Sequence, residues 1–95
     1  MAREIVWTQA ARRDLESVAE YIARDSMAYA STFVQEVIHA SRSLADFADR
    51  GQIVSEFDDE TLRELLIRSY RLIYLVADDK VLVLSLIHGA RRKNR

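Results

Sequence analysis

The chain has 95 residues, of which 49% are hydrophobic and none is cysteine. This length predicts a single domain over residues 1–95 with a thin core, and the lack of cysteine excludes disulfides, thiol nucleophiles and cysteine-ligated metals. Apolar runs stay below the roughly 18 residues of a membrane span, and none has the form of a signal peptide. We therefore expect a soluble cytoplasmic protein with no membrane partner.

The formal net charge of −1 hides an asymmetry along the chain. Residues 1–60 carry six arginines against twelve acidic residues, whereas residues 61–95 carry eight basic residues against three acidic ones. Arginine favours planar, bidentate contact with carboxylate or phosphate. The basic last third therefore points to an anionic partner, either nucleic acid or an acidic protein segment. The alternative is that these arginines keep exposed sheet edges soluble.

The first half of the chain predicts a strand followed by two helices. Glu4–Trp7 is a short apolar run typical of a strand, and Thr8 is a suitable helix N-cap. Apolar residues then recur at helical spacing, which predicts an amphipathic helix over 9–24. After a short polar break, a longer apolar stripe predicts a second helix to about residue 48. Gly51 stands where that helix would end in a left-handed residue.

The second half predicts an antiparallel sheet. Residues 51–61 form a connecting loop with an acidic second half, and runs rich in apolar, β-branched and aromatic residues predict strands at Leu62–Ile67, Tyr70–Ala77 and Val81–Ile87. The expected fold is α+β: an N-terminal strand, a helical hairpin, then a three-stranded antiparallel meander. Helices should cover one face of the sheet. The other face is then too apolar to remain bare, which indicates a bound partner.

Several short motifs, in this order and spacing, give the chain a resemblance to the ParE/RelE superfamily of toxins from type II toxin–antitoxin modules. The resemblance covers nearly the whole chain. The motifs that carry it are Trp7, Ala10–Leu15, Gly51–Phe57, Leu62–Leu65, the Tyr-Arg-Leu-Ile-Tyr strand Tyr70–Tyr74, and the Ile-His-Gly-Ala-Arg stretch Ile87–Arg91.

The resemblance implies a compact toxin that forms a hetero-oligomer with a cognate antitoxin. In the family, a disordered C-terminal segment of the antitoxin wraps over the toxin. A surplus of apolar strand surface with basic side chains would suit an acidic, amphipathic segment of that kind.

The superfamily has two branches with different targets. ParE-like members inhibit DNA gyrase and are not nucleases, whereas RelE-like members cut messenger RNA on the ribosome. Arg71 matches one of the arginines of the family's groove, and Arg91 matches the arginine after the last strand. No tyrosine follows Arg91, and His88 precedes a glycine as in ParE-like sequences. These features favour a non-enzymatic gyrase inhibitor. The alternatives are a ribosome-dependent endoribonuclease and an inactive module that only binds its antitoxin.

We expect a set of basic and aromatic residues in the C-terminal third to contact the target or the antitoxin. They are Arg63, Arg68, Arg71, Tyr74, His88, Arg91 and Arg92. In the nuclease alternative, Arg71 and Arg91 would stabilise charge on the scissile phosphate and His88 would transfer a proton.

Three of these side chains also have structural interpretations. Arg71 would pair with an acid on a neighbouring strand, such as Glu64. Tyr74 would be a packed aromatic with a satisfied hydroxyl, and His88 a hydrogen-bonded residue at a strand end.

The sequence predicts no metal site and no cofactor. His39 lies in the middle of a predicted helix without an obvious second ligand. No glycine-rich phosphate loop or nucleophile elbow occurs. The acids of residues 56–60 are expected to form a solvated loop, because no apolar context surrounds them.

Overall fold

The computed structural model describes residues 2–89. Its elements are β1 (Glu4–Trp7), α1 (Gln9–Ala23), α2 (Met27–Ser43), a 3-10 turn (Ala48–Arg50), β2 (Gln52–Ile53), β3 (Leu62–Ile67), β4 (Tyr70–Val76) and β5 (Lys80–His88). The predicted α+β class is confirmed. Arg91 and Arg92, which we expected to contact the target or the antitoxin, lie outside the described residues.

Both helices begin at a hydroxyl cap, of which Thr8 was predicted from the sequence. The Thr8 hydroxyl oxygen accepts a hydrogen bond from the Ala11 N–H at 3.1 Å, and the same hydroxyl donates to the Val83 carbonyl of β5 at 2.9 Å. This side chain therefore caps α1 and fixes its first turn to the sheet. Ser26 caps α2 in the same way, accepting from the Tyr29 N–H at 3.0 Å.

The sheet has five strands in the order β1-β5-β4-β3-β2. β3, β4 and β5 form the predicted antiparallel meander. Two features were not predicted: β1 pairs in parallel with β5, which makes the sheet mixed, and β2 pairs with β3 at a sheet edge. β2 has only two residues, too few for alternation of apolar and polar positions to mark a strand.

The helices cover one face of the sheet, as predicted. Phe33 and Val37 of α2 and Ala11 of α1 are fully buried against that face, where they meet Leu72 and Tyr74 of β4. Because successive strand residues point to opposite faces, the intervening residues lie on the other side. We call that side the open face. Its strand residues are Glu4, Val6, Gln52, Leu62, Glu64, Leu66, Arg71, Ile73, Leu75, Lys80, Leu82, Ser85 and Ile87.

Two expectations about the link between α2 and the sheet were wrong. α2 ends at Ser43 and not near residue 48. The hydroxyls of Ser41 and Ser43 donate back to the carbonyls of Ile38 and Ala40, a bonding pattern that competes with continued helix. Gly51 is also not left-handed, since its φ is −77°.

The two glycines serve different purposes. A Cβ on Gly51 would collide with the Tyr74 hydroxyl and the Glu64 backbone carbonyl, so this position requires the smallest residue. Gly89 has φ +114°, a left-handed conformation that L side chains rarely adopt. Glycine therefore suits this position at the end of β5.

Candidate partner-binding surface

Arg71 lies on the open face between two carboxyl groups. Its Nε donates to Glu64 Oε1 at 2.6 Å, and its Nη2 donates to Glu56 Oε1 at 3.0 Å. The Arg71 side chain is 8% exposed and that of Glu64 only 1%, whereas Glu56, in the loop after β2, is 40% exposed. The structural interpretation of Arg71 as the partner of Glu64 is thus confirmed. Glu56 closes the site from the solvent side.

Apolar residues surround this ion pair in rows that run across the strands. Arg71 stands between Leu66 of β3 and Ile87 of β5, which are 58% and 39% exposed. Four positions along β4 from Arg71, half-buried apolar residues make a second row. That row consists of Leu62, Leu75, Leu82 and Val6. The expected surplus of apolar surface is therefore present on the face away from the helices, with a charged cluster set into it.

The charges of the open face differ from the basic groove that we expected. Within residues 2–89, three carboxyl groups, those of Glu4, Glu56 and Glu64, face it or close over it, against the two cations Arg71 and Lys80. Arg63 alternates with the open-face residues of β3 and therefore points to the other side of the sheet. Arg68 lies in the turn after β3, where its left-handed backbone accompanies a side chain directed at Glu36 of α2. The number of arginines in the strands therefore does not predict the charge of either face of the sheet.

Arg63 and Arg68 contribute to the fold on the other side of the sheet. Arg63 Nη1 donates to the Gly51 carbonyl at 2.9 Å and holds the start of β2. Arg68, in the turn between β3 and β4, has φ 56° and makes a two-point contact with Glu36 of α2 at 2.9 and 2.7 Å. Its guanidinium carbon also lies 5.1 Å from the centre of the Tyr29 ring.

Tyr74 is fully buried and does not lie on a contact surface. Its hydroxyl donates to the Ala48 carbonyl at 2.8 Å and accepts from the Gly51 N–H at 3.0 Å. Burial raises the pKa of this hydroxyl, so it stays protonated at neutral pH and cannot act as a base. The expectation that Tyr74 contacts a partner is corrected, and the interpretation as a packed aromatic is confirmed.

His88 ends β5 on the side of the helices. Its ring meets Tyr70 edge-on, with centroids 4.9 Å apart. Both line a cavity of about 320 Å³ beside α1, together with Ser17, Val18 and Tyr21. Because Tyr70 is the register partner of His88 and Arg71 that of Ile87, His88 and Arg71 project from opposite faces of the sheet.

The described site residues therefore do not converge on one centre. Arg71 is on the open face, His88 is beside α1, Tyr74 is in the core, and Arg63 and Arg68 hold the sheet edge and a turn. Sequence reasoning missed Glu56, the residue that controls access to Arg71. In the sequence, Glu56 stands out only as one of several acidic residues in the loop of residues 56–60.

Two features are absent from residues 2–89. No group of three acidic, histidine or cysteine side chains in this range is arranged to hold a metal ion. Neither of its helices has the length and hydropathy that a membrane crossing requires.

The fold of this chain resembles those of two solved structures. A solved structure from the chromosomal ParDE system of P. aeruginosa superposes with a TM-score of 0.76 at 17% identity and covers 94% of this chain and 98% of that one. A conserved hypothetical protein from Helicobacter pylori gives a TM-score of 0.56 at 21% identity, covering 90% and 92% of the two chains. At these identities the two structures establish the shared fold.

The sequence establishes the family. The model of the ParE toxin of the type II toxin–antitoxin system parDE matches residues 5–93. The chain is also 34% identical over 89 residues to a protein named Toxin RelE2 from Caulobacter vibrioides, which covers 93% of this chain and 97% of that protein. The chain belongs to the ParE toxin family, within the ParE/RelE superfamily, and such a toxin has a cognate antitoxin as its partner.

Proposed function

We propose that this toxin acts by binding DNA gyrase and blocking its cycle, without making or breaking a covalent bond itself. The cognate antitoxin suppresses this activity by occupying the toxin. The toxin class follows from the family, whereas the target and the mode of action are the proposal.

The observation that carries the proposal is the separation of Arg71 from His88. Cleavage of RNA through the 2′-hydroxyl needs a cation and a proton-transfer group within reach of the same phosphate. Here the two side chains project from opposite faces of the sheet. Arg71 is in addition held by Glu64 and Glu56, so a phosphate would meet carboxylates at this position. This arrangement favours binding over catalysis.

The second candidate is a ribosome-dependent endoribonuclease. It is favoured by the 34% identity to a protein that carries the RelE name. In that case Arg91, outside the described residues, would have to supply the charge stabilisation that the enclosed Arg71 does not offer.

The test is controlled induction of the toxin in cells, with plasmid supercoiling and transcript integrity measured on the same samples. The proposal predicts relaxed plasmid or trapped gyrase–DNA cleavage complexes before any loss of full-length messages. Co-expression of the cognate antitoxin should abolish both growth arrest and the change in supercoiling.

The other outcomes contradict the proposal in distinguishable ways. Messages cut within translated codons, with supercoiling unchanged, would assign the chain to the nuclease branch. Normal growth at confirmed expression would indicate an inactive module that only binds its antitoxin.

A further inference from the structure

We propose that two copies of this chain pair through the free edge of β1. The two strands run antiparallel about a two-fold axis at Val6, so that the two five-stranded sheets form one continuous sheet. The proposal concerns a surface of the toxin itself. It does not depend on the target of the toxin or on its antitoxin.

The backbone of β1 is paired with a neighbouring strand on one side only. β1 lies at the end of the sheet, next to β5. The N–H groups of Glu4 and Thr8 donate to carbonyl oxygens on the β5 side at 3.0 and 3.1 Å. Because successive residues of a strand direct their backbone groups to opposite sides, those of Ile5 and Trp7 point away from β5. Such an edge is a template for another strand.

One antiparallel register joins this edge to the same edge of a second copy. With Val6 on the two-fold axis, Ile5 lies opposite Trp7 of the second copy, and the two residues exchange N–H and C=O contacts. The symmetry repeats this exchange on the other side of the axis. The pairing ends before Arg3, whose N–H already donates to the Ala45 carbonyl at 2.8 Å. Because the match is short, we expect a concentration-dependent dimer and not an obligate one.

A groove of about 500 Å³ runs beside the free edge, and its apolar lining includes Ile5, Trp7, Leu15 and Ile38. Ile5 and Trp7 point to the helix side of the sheet, because they alternate with open-face positions of β1. In the proposed register, Trp7 of the second copy lies beside Ile5 at this groove, and the symmetry repeats the contact. Each copy therefore covers apolar surface of the other, which favours association.

The charges at the two ends of β1 are complementary in the antiparallel arrangement. Glu4 is exposed at the start of β1. At the other end α1 begins with no acidic residue in its first turn and with Arg12 and Arg13 exposed. The register places Glu4 of one copy opposite Thr8, the N-cap of α1, in the other, where a carboxylate favours the positive end of the helix. Pairing in the same direction would instead set Glu4 against Glu4.

A single cysteine tests the register, because the chain has none of its own. On the axis, Val6 faces Val6 of the second copy in a non-hydrogen-bonded pair, with Cα atoms about 4.5 Å apart. That separation suits a disulfide. Val6→Cys should therefore give a disulfide-linked dimer under mild oxidation with oxidised glutathione. Leu66→Cys, 58% exposed on the open face of β3, is the control and should remain largely monomeric on a non-reducing gel.

Charge exchange on the axis tests the contact without a covalent bond. Val6→Lys and Val6→Glu should each raise the dimer dissociation constant about tenfold or more in sedimentation equilibrium, because like charges then meet. An equimolar mixture of the two should recover the dimer, which a loss of folding could not do. Leu66→Lys adds the same charge elsewhere on the open face and should stay within about twofold of wild type.

The proposal is overturned if the wild-type chain sediments as a monomer at about 1 mM. It is also overturned if Val6→Cys cross-links no more than Leu66→Cys, or if Val6→Lys dimerises like wild type, because self-association would then use another face. Unchanged self-association of Val6→Lys together with weaker binding of the antitoxin would assign the edge to a strand of the antitoxin. Circular dichroism confirms that each variant is folded.

Discussion

At the scale of single residues, Tyr74 links three parts of the fold. Its ring belongs to the core under the helices, and its hydroxyl joins the 3-10 turn at Ala48 to the start of β2 at Gly51. The family motif around Tyr70–Tyr74 is therefore partly a folding motif. Gly51 completes it, because only glycine leaves room for the hydroxyl.

We predict that Tyr74→Phe destabilises the protein without changing its surface. The change leaves the Ala48 carbonyl and the Gly51 N–H without their hydrogen-bond partner, which should lower the free energy of unfolding by about 1–3 kcal/mol. Urea denaturation measures the effect. Tyr21→Phe, at a 66% exposed position, is the control and should change stability by less than about 0.5 kcal/mol. Equal stability of the two variants would refute the role assigned to Tyr74.

At the scale of elements, the sequence predicted most helices and strands but not which strand face each arginine takes. Helical spacing of apolar residues predicted α1, and a run of strand-forming residues predicted β3 at Leu62–Ile67. The parallel pairing of β1 with β5 joins residues more than 70 positions apart, and no local pattern encodes it. The charge of the open face depends on the parity of positions 63 and 71 and on the turn that directs Arg68 towards α2. It also depends on the loop that carries Glu56, whose path the sequence does not specify.

The ion pair between β3 and β4 gives the second prediction. Arg71→Ala leaves the buried carboxyl of Glu64 without its guanidinium and should cost about 3–5 kcal/mol in the free energy of unfolding. The double variant Arg71→Leu with Glu64→Leu removes both charges and should recover most or all of that loss. Chemical denaturation of wild type, Arg71→Leu, Glu64→Leu and the double leucine variant measures the coupling. Additive losses in the double variant would contradict the pairing.

This prediction also affects the interpretation of activity assays. An Arg71→Ala toxin that fails to arrest growth is expected to be an unstable toxin. Loss of toxicity should therefore be assigned to Arg71 itself only if the double leucine variant, with restored stability, is also inactive.

The contact between α2 and the β3–β4 turn gives a prediction about pH. The hydrogen bond from Arg68 lowers the pKa of Glu36 below 4.5 in the folded state. The pair therefore stabilises the fold fully above the pKa of Glu36 in the unfolded chain, and this contribution is lost as pH falls through the lower folded-state pKa. The stability advantage of wild type over Glu36→Gln should be small, because both side chains are exposed, and should shrink as pH falls below the ordinary range of a glutamate pKa. Denaturation of both proteins across pH 3–7 tests this, and an advantage that grows towards low pH would contradict it.

At the scale of the whole molecule, the described residues place the acidic and apolar open face on one side of the sheet and the helical hairpin on the other. The antitoxin surface and the target surface need not coincide. The basic residues Arg91 and Arg92, outside the described range, follow β5 and are the proposed contacts with gyrase.

We predict that replacing Arg91 and Arg92 together with alanine abolishes or strongly reduces growth arrest while the free energy of unfolding stays within about 0.5 kcal/mol of wild type. The matched control is Arg12→Ala with Arg13→Ala, which removes the same charge from an exposed part of α1 and should remain toxic. Growth curves at equal expression compare the two. Full toxicity of the Arg91 and Arg92 variant would show that this segment is not the surface that acts on the target.

The central claim is tested most directly by adding the purified toxin to purified DNA gyrase and following ATP-dependent supercoiling of relaxed plasmid. We predict that supercoiling falls with increasing toxin and recovers when the antitoxin is added, while a messenger RNA on purified ribosomes stays intact under the same toxin concentrations. Unchanged supercoiling together with cleaved messenger RNA would contradict the claim that this toxin acts by binding gyrase.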